Sequence, residues 1–546
     1  MLSASFLLLS LTAALAASAA PAAPRSPRRR SYATVPGHPC IRSLEGTADA
    51  MSDLAEAHPS LASVITIGDS YLRENPGGAE ANGAFPAGGY ALKALVLTNG
   101  DAATASADKA RVLIVAGHHP RELGPPELVL RFAERLLAGH GADAETTALL
   151  DRTEISLVFH ANPDGRHVAE ARRDLMWRKN ANGGEHSSCG SSRLGVDLNR
   201  NYDFFWGDTS GGRASDDPCK SNYAGRRAFS EPESRAVRGL ARRLFPRAQR
   251  RDDPEGSVDV PVGEDNTGVF VDVHSSGGYV FYPWGYEDSK SPDNDSLESL
   301  ARKMASFNGY KLWAGGQPDF QYPVSGDASD YMYAAMGVAS FGYEIGKAFY
   351  EDCDLFERKI APDNIPSLMY VSRTARRPFR IAKGPDVLAF EVAEAGNANA
   401  DEETGEATAM LLDVSVTASD DELLNSDFKT GRQGVEAVRL SVDVHPDDDD
   451  GGGAMMEMEP VGGTNNNSGR RSFELQVSTD GMAPGRHTMY SVAVDGAGYE
   501  GPVSAVFFDV PVRAAVETDQ PTTSAPQTAE PTTAAPVSGA PTAARS

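Results

Sequence analysis

The sequence predicts an α/β domain on a mixed, mostly parallel sheet with helices on both faces, followed by a small all-β sandwich. Between about residues 36 and 380, short apolar runs rich in Val, Ile and Phe alternate with stretches of helical periodicity, which is typical of α/β folds. From about residue 385 to 512, short alternating runs follow one another, bounded by Gly, Asp and Asn, and this pattern indicates a sandwich.

The strand-like runs of the first domain are RVLIVAG, EISLVFHANPDG, GVFVDVHSSGGYVFYPWGY and VASFGYEIG. Between them, the segment from Pro125 to Leu137 repeats apolar residues at helical spacing and starts with two prolines, which suit a first helical turn. Ligands of such sheets bind beyond the carboxyl ends of the strands. His119, His274 and Glu344 all stand at predicted strand ends.

The remaining parts of the chain are predicted from composition. The predicted organisation is a signal peptide at 1–20, a Pro- and Arg-rich linker at 21–35, the α/β domain at 36–380, an immunoglobulin-like sandwich at 385–512 and a Pro/Thr-rich disordered tail at 513–546. Within the sandwich, the acidic, Gly- and Asn-rich run at 446–469 is expected to be a mobile loop.

The first twenty residues carry no charge, and their apolar centre is too short to span a bilayer. They predict a secreted, extracellular protein, and no other stretch is apolar enough for a transmembrane segment. Four cysteines in a secreted chain predict two disulfides, with three pairings open. The net charge of −25, from 76 acidic and 51 basic residues, lacks the basic footprint of a nucleic-acid surface, so no nucleic-acid partner is expected.

The stretch HHPRE, after the first apolar strand, contains candidate metal ligands. Glu122 could share an ion with His119 at i, i+3 or with His118 at i, i+4, and the spacing leaves both open. His274 could supply a third ligand, and two His with one Glu would leave one position of a tetrahedral zinc for water. The alternative is a capped helix start and an ordinary core histidine.

Eight motifs in one order carry a family resemblance. They are the pattern G-x-H-x-R-E at 117–122, NPDG at 162–165, MWRK at 176–179, GVDLNRNYD at 195–203, AFSEPES at 228–234, VHSSGGYVFYPWGY at 273–286, YPVSGDASDYMY at 322–333 and FGYEIG at 341–346. Over about residues 36–376 the chain resembles the zinc metallocarboxypeptidases of the A/B type.

The resemblance implies one Zn²⁺ in the α/β domain and a role for each matching residue. The implied zinc ligands are His119, Glu122 and His274; the general base is Glu344, and the arginine that stabilises the oxyanion is Arg178. The implied substrate-binding residues are Asn199 and Arg200 on the terminal carboxylate, the mobile Tyr322, the auxiliary Arg121 and Ser329 at the base of the specificity pocket. It also implies a disulfide between Cys189 and Cys219, which leaves Cys40 for Cys353.

Elementary chemistry agrees with these roles. Amide hydrolysis needs an activated water, an electrophile for the carbonyl oxygen and a proton carrier for the leaving amine. A planar guanidinium can bind a free carboxylate bidentately. The alternative for Arg178 and Arg200 is a structural ion pair.

The preferred C-terminal side chain stays open. Ser329 is neither the bulky apolar residue of A-type enzymes nor the acid of B-type enzymes. Asp327, two residues earlier, could bind a basic side chain or could simply be a turn residue.

The sequence therefore predicts a secreted, monomeric zinc carboxypeptidase that acts on peptides or proteins with a free C-terminus. Two alternatives remain, which are a catalytically silent protein that binds peptides or polymers, and a cell-wall peptide amidase on the same scaffold. Asn199, Arg200 and Tyr322 favour a substrate with a free α-carboxylate.

Overall fold

The structure is a computed structural model. It describes residues 31–512 apart from 77–87, 103–108, 173–175, 184–188, 190–193, 247–254, 319, 321–322, 401–406, 422, 424–433, 449–454 and 466–468. The predicted signal peptide, most of the predicted linker and the predicted tail lie outside the described residues, and so does Tyr322.

Eighteen strands and eleven α-helices are formed by the described part of the chain. The strands are β1 Thr34–Val35, β2 His38–Arg42, β3 Ala62–Asp69, β4 Ala91–Leu97, β5 Ala110–Ala116, β6 Thr153–Val158, β7 Val269–His274, β8 Tyr279–Phe281, β9 Lys311–Trp313, β10 Ala339–Glu344, β11 Asp386–Ala400, β12 Ala407–Ser419, β13 Val435–Val442, β14 Met456–Glu457, β15 Glu459–Asn465, β16 Arg470–Ser478, β17 Gly485–Asp495 and β18 Ser504–Val510. The helices are α1 Leu44–Ala57, α2 Tyr71–Glu74, α3 Gly124–Gly139, α4 Ala144–Arg152, α5 Pro163–Arg172, α6 Pro232–Leu244, α7 Asn294–Asn308, α8 Ala328–Tyr331, α9 Cys353–Leu355, α10 Ala361–Arg373 and α11 Pro378–Ile381.

An eight-stranded mixed sheet organises the first domain. Its strand order is β3-β4-β6-β5-β7-β10-β8-β9, and the central strands β6, β5, β7 and β10 run parallel to one another. The predicted mixed, mostly parallel sheet is therefore confirmed. The carboxyl ends of β5, β7 and β10 meet at one edge.

The central strands are covered on both faces. All six residues of β7 are buried, although neighbouring side chains of a strand point to opposite faces. Helices α3 and α6 both contact β5. Helix α3 starts with Pro125 and Pro126 in its first turn and buries Leu128, Phe132 and Leu136 on one stripe.

The described part of the α/β domain includes a few residues before residue 36. Strand β1 pairs with β2, and the Tyr32 hydroxyl donates to Asp53 on α1 at 3.1 Å. The last residues of the predicted linker therefore belong to the fold, because the backbone of β1 pairs with β2.

The second domain is a sandwich of two four-stranded antiparallel sheets. One sheet has the order β11-β12-β16-β15 and the other β14-β13-β17-β18. Their facing side chains form a separate core that includes Val414, Leu440, Phe473 and Met489. The prediction of a mobile loop at 446–469 is wrong in part, because this run contains β14 and β15. These two strands form backbone hydrogen bonds with β13 and β16, respectively.

The sandwich lies against the edge of the α/β domain opposite the site described below. Arg373 of α10 donates to the Val503 carbonyl at 2.6 Å and to the Ser504 hydroxyl at 3.0 Å. The cleft between the two domains is lined by Ala110 and Thr153, the first residues of β5 and β6. The sandwich therefore contacts the amino ends of strands whose carboxyl ends carry the site. Among the described residues, no helix is both long enough and apolar enough to span a bilayer.

Candidate active site

The candidate site forms where three neighbouring strands end. His119 follows β5 after a tight turn at Gly117, His274 ends β7 and Glu344 ends β10. Gly117 has φ +74°, and a Cβ there would lie 2.9 Å from the Phe159 carbonyl oxygen, so this close approach favours glycine. The turn directs the following residues across the carboxyl edge of the sheet.

One imidazole on each side contacts the carboxylate of Glu122. The Nδ1 atom of His119 lies 2.8 Å from Oε1, and the Nδ1 atom of His274 lies 2.9 Å from Oε2. The three donor atoms lie within 4.8 Å of one another, and all three residues are buried. The structure thus brings together the three ligands that the resemblance implied.

His118 faces a different carboxylate. Its Nδ1 atom lies 2.9 Å from Asp272 Oδ1, and its Nε2 atom lies 2.9 Å from the Tyr202 hydroxyl. The spacing of HHPRE left His118 and His119 equally possible as metal ligands. The geometry favours His119, because His119 and His274 both contact Glu122 whereas His118 contacts Asp272.

The second ring nitrogen of each imidazole contacts a further acid, Asp197 for His119 and Asp272 for His274. Neither acid was predicted from the sequence. Asp197 Oδ1 lies 3.0 Å from His119 Nε2, and Asp272 Oδ2 lies 2.8 Å from His274 Nε2. Such contacts fix the orientation of a metal-binding imidazole. Asp197 stands in the motif GVDLNRNYD, two residues before Asn199, and Asp272 stands in a quoted strand-like run, two residues before His274, but neither spacing indicated its partner.

Burial and neighbouring charges shift the pKa values of the two glutamates in the site. Burial alone would raise the pKa of Glu122, but the charges and hydrogen bonds of His119 and His274 outweigh it and hold that pKa well below its ordinary value. For Glu344, burial and the nearby Glu122 carboxylate raise the pKa to about 8. The ionised Glu122 carboxylate therefore places a negative charge at one buried point, and the raised pKa of Glu344 reflects the cost of a second charge beside it.

The donor set fits a zinc ion. Two imidazoles and one carboxylate are a ligand set of catalytic zinc, which keeps one position open for water or substrate. Next to this set, Glu344 Oε2 is buried with no hydrogen-bond partner among the described residues. A buried carboxylate oxygen is costly without a donor, and a water beside the metal would supply one.

Comparisons with known proteins agree with this geometry. A family model described as zinc carboxypeptidase matches residues 47–363, more than half of the chain. The chain belongs to the zinc carboxypeptidase family. Its curated relatives include carboxypeptidase A1 of Homo sapiens, 29% identical over 307 residues, and carboxypeptidase A2 of Rattus norvegicus, 28% identical over 313 residues; each match covers 56% of this chain. The chain spans 62% and 63% of those two proteins.

Solved structures are also similar to this zinc carboxypeptidase chain. Carboxypeptidase A from Helicoverpa armigera is similar with a TM-score of 0.48 and 24% identity, over 62% of this chain and 74% of that one. Bovine thrombin-activatable fibrinolysis inhibitor in complex with tick carboxypeptidase inhibitor gives a TM-score of 0.48 and 22% identity, over 61% of this chain and 97% of that one.

A cavity of about 210 Å³ opens beside the ligand triad of this zinc carboxypeptidase domain. It is lined by the triad and by Arg121, Arg178, Asn199, Arg200, Phe281, Trp313, Val324, Asp327, Ser329, Asp330 and Glu344, among others. Every sequence-predicted catalytic and substrate-binding residue that the structure describes lines this one cavity.

Arg178 is held next to the triad by Asp197. Its Nε and Nη2 atoms lie 3.0 and 2.8 Å from Asp197 Oδ2, and its Nη1 atom lies 3.5 Å from His119 Nδ1. The same carboxylate thus contacts both His119 and Arg178. This shared contact couples the position of a fixed positive charge to the position of a metal ligand.

A short helical turn at Leu198–Arg200 carries the residues implied to bind the terminal carboxylate. The Asn199 side chain accepts from the Ala328 backbone at 2.9 Å and lies 3.2 Å from His274 Nε2. Arg200 donates to the carbonyls of Arg213 and Asn199 at 3.0 and 2.6 Å. Arg121 stacks 4.3 Å from the ring centre of Phe349, which fixes its position at the cavity.

Both predicted pairings are present, the one that the resemblance implied and the one that then followed by elimination. Cys189 is bonded to Cys219 and Cys40 to Cys353. The second bond ties β2 to α9, elements that are 313 residues apart in sequence.

Proposed function

We propose that this protein is a secreted zinc-dependent carboxypeptidase that removes single residues from the C-terminus of peptides and proteins. The observation that carries the proposal is the common cavity, where a His₂Glu metal triad, a buried carboxyl group and several guanidinium groups converge. Zinc, when bound, would polarise the scissile carbonyl and lower the pKa of a water.

The residues of the chain supply the remaining chemistry. Glu344 is half-buried at the end of β10, its Oε2 atom is buried, and its carboxylate can take a proton from water and pass it to the leaving amine. The Arg178 guanidinium can stabilise negative charge on the carbonyl oxygen, because Asp197 holds it rigidly beside the triad. Asn199 and Arg200 can bind the terminal α-carboxylate, which would restrict cleavage to the last residue.

Secretion is supported by the uncharged apolar start of the chain and by the two disulfides, since such bonds persist in oxidising compartments. A cell-wall peptide amidase would not need Asn199 and Arg200 to bind a free α-carboxylate. A catalytically silent binding protein would not need Glu344 as a general base.

The test is cleavage of N-blocked dipeptides with a free C-terminus and of the same dipeptides with an amidated C-terminus. We expect cleavage of the free acids alone, its loss on treatment with a zinc chelator, and its recovery when zinc is added. The Glu344→Gln variant should lose roughly 100- to 10,000-fold in kcat while it keeps its zinc. The exposed Glu56→Gln variant is the matched control.

Equal cleavage of amidated substrates would favour the amidase. An absence of cleavage from zinc-loaded protein would favour the binding protein. Loss of zinc from the Glu344→Gln variant would mean that Glu344 is a metal ligand and not the base.

A further inference from the structure

Helix α6 carries an excess of positive charge that is unusual for this chain. It contains four arginines and a single acid, Glu233, which is fully buried. The chain as a whole has 76 acidic and 51 basic residues, so an acidic surface is expected over most of the protein. The solvent-facing side of α6 is therefore positive on a protein whose net charge is −25.

The arginines of α6 and of the loop before it form one continuous surface. Arg235 donates to the backbone carbonyls of Ser230 and Phe229 at 2.7 and 3.4 Å. The guanidinium carbon of Arg238 lies 4.0 Å from the ring centre of Phe229. Two residues before Phe229, the loop exposes Arg227. We call this surface the arginine patch, and it consists of Arg227, Arg235, Arg238, Arg242 and Arg243.

Acidic partners are scarce in the arginine patch. Arg235 pairs with Glu74 at 2.7 Å. In the part of the chain that the structure describes, none of the other four arginines forms an ion pair. Exposed arginines elsewhere do form them, as Arg358 does with Asp354 at 3.4 Å although its side chain is 78% exposed. The numerous acids of this chain therefore leave the arginine patch uncovered.

Like charges in the arginine patch lie close enough to repel one another. Burial lowers the pKa of the Arg238 guanidinium, and the charges of Arg242 and Arg235 lower it further, while the charge of Asp203 opposes the shift. The helix dipole favours cations in the last turn, which accounts for Arg242 and Arg243 but not for Arg235 and Arg238. An anionic ligand would remove the repulsion that remains.

The surroundings of the arginine patch narrow the class of anion. Val237, Leu240 and Leu244 of α6 are buried, so the apolar side of the helix is not available to enter a bilayer. The ring of Phe229 is buried beneath Arg238 and is not free to stack on a nucleic-acid base. Guanidinium groups bind oxyanions through paired hydrogen bonds, and this chemistry needs neither an apolar nor an aromatic surface.

We propose that the arginine patch binds a sulfated polysaccharide. Arg235, Arg238 and Arg242 follow one side of the helix at i, i+3 and i+7, over about 10 Å. A linear polymer with repeated sulfate groups can therefore contact several guanidinium groups at once. Clustered basic residues are a typical determinant of heparin binding. Such a contact would hold the protein, which is proposed to be secreted, on extracellular polysaccharide.

The first experiment needs no variant. Purified full-length protein is applied at about 50 mM NaCl to immobilised heparin, to heparin from which the sulfate groups have been removed, and to a sulfonate cation exchanger. We expect retention on heparin until about 0.2–0.5 M NaCl, because salt screens exposed charges, and earlier elution from the other two matrices. Passage through heparin without retention, or equal elution from all three matrices, would overturn the inference.

The second experiment removes two exposed charges from the patch. Arg242→Gln combined with Arg243→Gln keeps polar side chains that suit a helix, so the fold should persist, which thermal unfolding checks. We expect the Kd for heparin, measured by calorimetry, to rise roughly 10-fold, the value of two exposed ion pairs. Arg358→Gln combined with Lys359→Gln is the matched control, because it removes two exposed charges elsewhere. Equal rises in both double variants would mean that total charge, and not the patch, sets the affinity, and would overturn the inference.

A third measurement decides the class of partner. The Kd for heparin is compared at one salt concentration with the Kd values for a single-stranded DNA oligonucleotide and for vesicles of anionic phospholipid. Tightest binding of heparin supports the inference, whereas tighter binding of the DNA or of the vesicles would overturn it. The arginines of the patch do not line the cavity beside the metal triad, so peptide cleavage tests the proposed function separately.

Discussion

Glu344 and His274 occupy opposite positions in the register of two neighbouring parallel strands, β10 and β7. The general-base candidate and a zinc-ligand candidate are therefore held by the sheet itself and not by loops. His119 arrives from β5, the strand on the other side of β7. Glu344 and His274 keep their relative position because moving either residue would require breaking the hydrogen bonds of the sheet.

Asp197 offers a direct test of how the triad is positioned. In Asp197→Asn, an amide replaces the carboxylate that contacts His119 Nε2 and Arg178. We expect zinc affinity to fall by roughly 10- to 100-fold, as for other partners of metal-binding imidazoles. Chelator competition measures the affinity. Asp203→Asn, an exposed change just after the same turn, serves as the control, and equal affinities in the two variants would contradict the positioning role.

Glu233 predicts a pH dependence of stability. Burial, with the nearby charges of Asp164 and Glu231, raises its pKa from an ordinary 4.5 to about 8. The folded protein thus holds this proton more tightly than the unfolded chain does, so its stabilising effect is present below about pH 4.5 and is lost as the pH rises to about 8.

The free energy of unfolding should therefore fall between pH 5 and pH 8, with a contribution from Glu233 on the order of a few kcal/mol. Glu233→Gln cannot titrate, and its curve should fall less steeply over this range. Urea unfolding at several pH values measures both proteins. Parallel curves would show that Glu233 does not carry this proton.

Arg373 tests the contact between the two domains. Its guanidinium donates to the Val503 carbonyl and the Ser504 hydroxyl and pairs with Glu145 at 3.2 Å. Arg373→Met keeps the stem and removes the donors, and should lower the free energy of unfolding by about 1–3 kcal/mol. Arg358→Met, whose side chain is 78% exposed, should change it by less than about 0.5 kcal/mol. Equal effects would mean that the Arg373 contacts contribute little.

Hydrophobic patterning was enough to predict the strands that carry the site. The runs RVLIVAG and VASFGYEIG match β5 and β10 to within about two residues at each end, because strands buried on both faces are continuously apolar. Strands β14 and β15 could not be predicted in this way. They lie in an acidic, glycine-rich run, and they are strands because neighbouring strands supply hydrogen bonds.

The residues of the site could not be identified from hydrophobic patterning and residue spacing alone. Residue spacing could not separate His118 from His119, since the direction of each imidazole depends on which strand lies next to β5. The resemblance named the ligands but not Asp197 or Asp272, whose roles follow from tertiary contacts. Asp327 shows the same limit, because only coordinates reveal that one of its oxygens accepts from the N–H groups of Ser329 and Asp330 while no described residue donates to the other.

The most direct test of the account is the zinc content of the purified protein and of two neighbouring variants, measured by elemental analysis after dialysis. We predict about one zinc per chain for the wild type and for His118→Gln, and less than about 0.1 for His119→Gln, because only His119 shares Glu122 with His274. A zinc-free wild type, or loss of zinc from His118→Gln with retention by His119→Gln, would contradict the account.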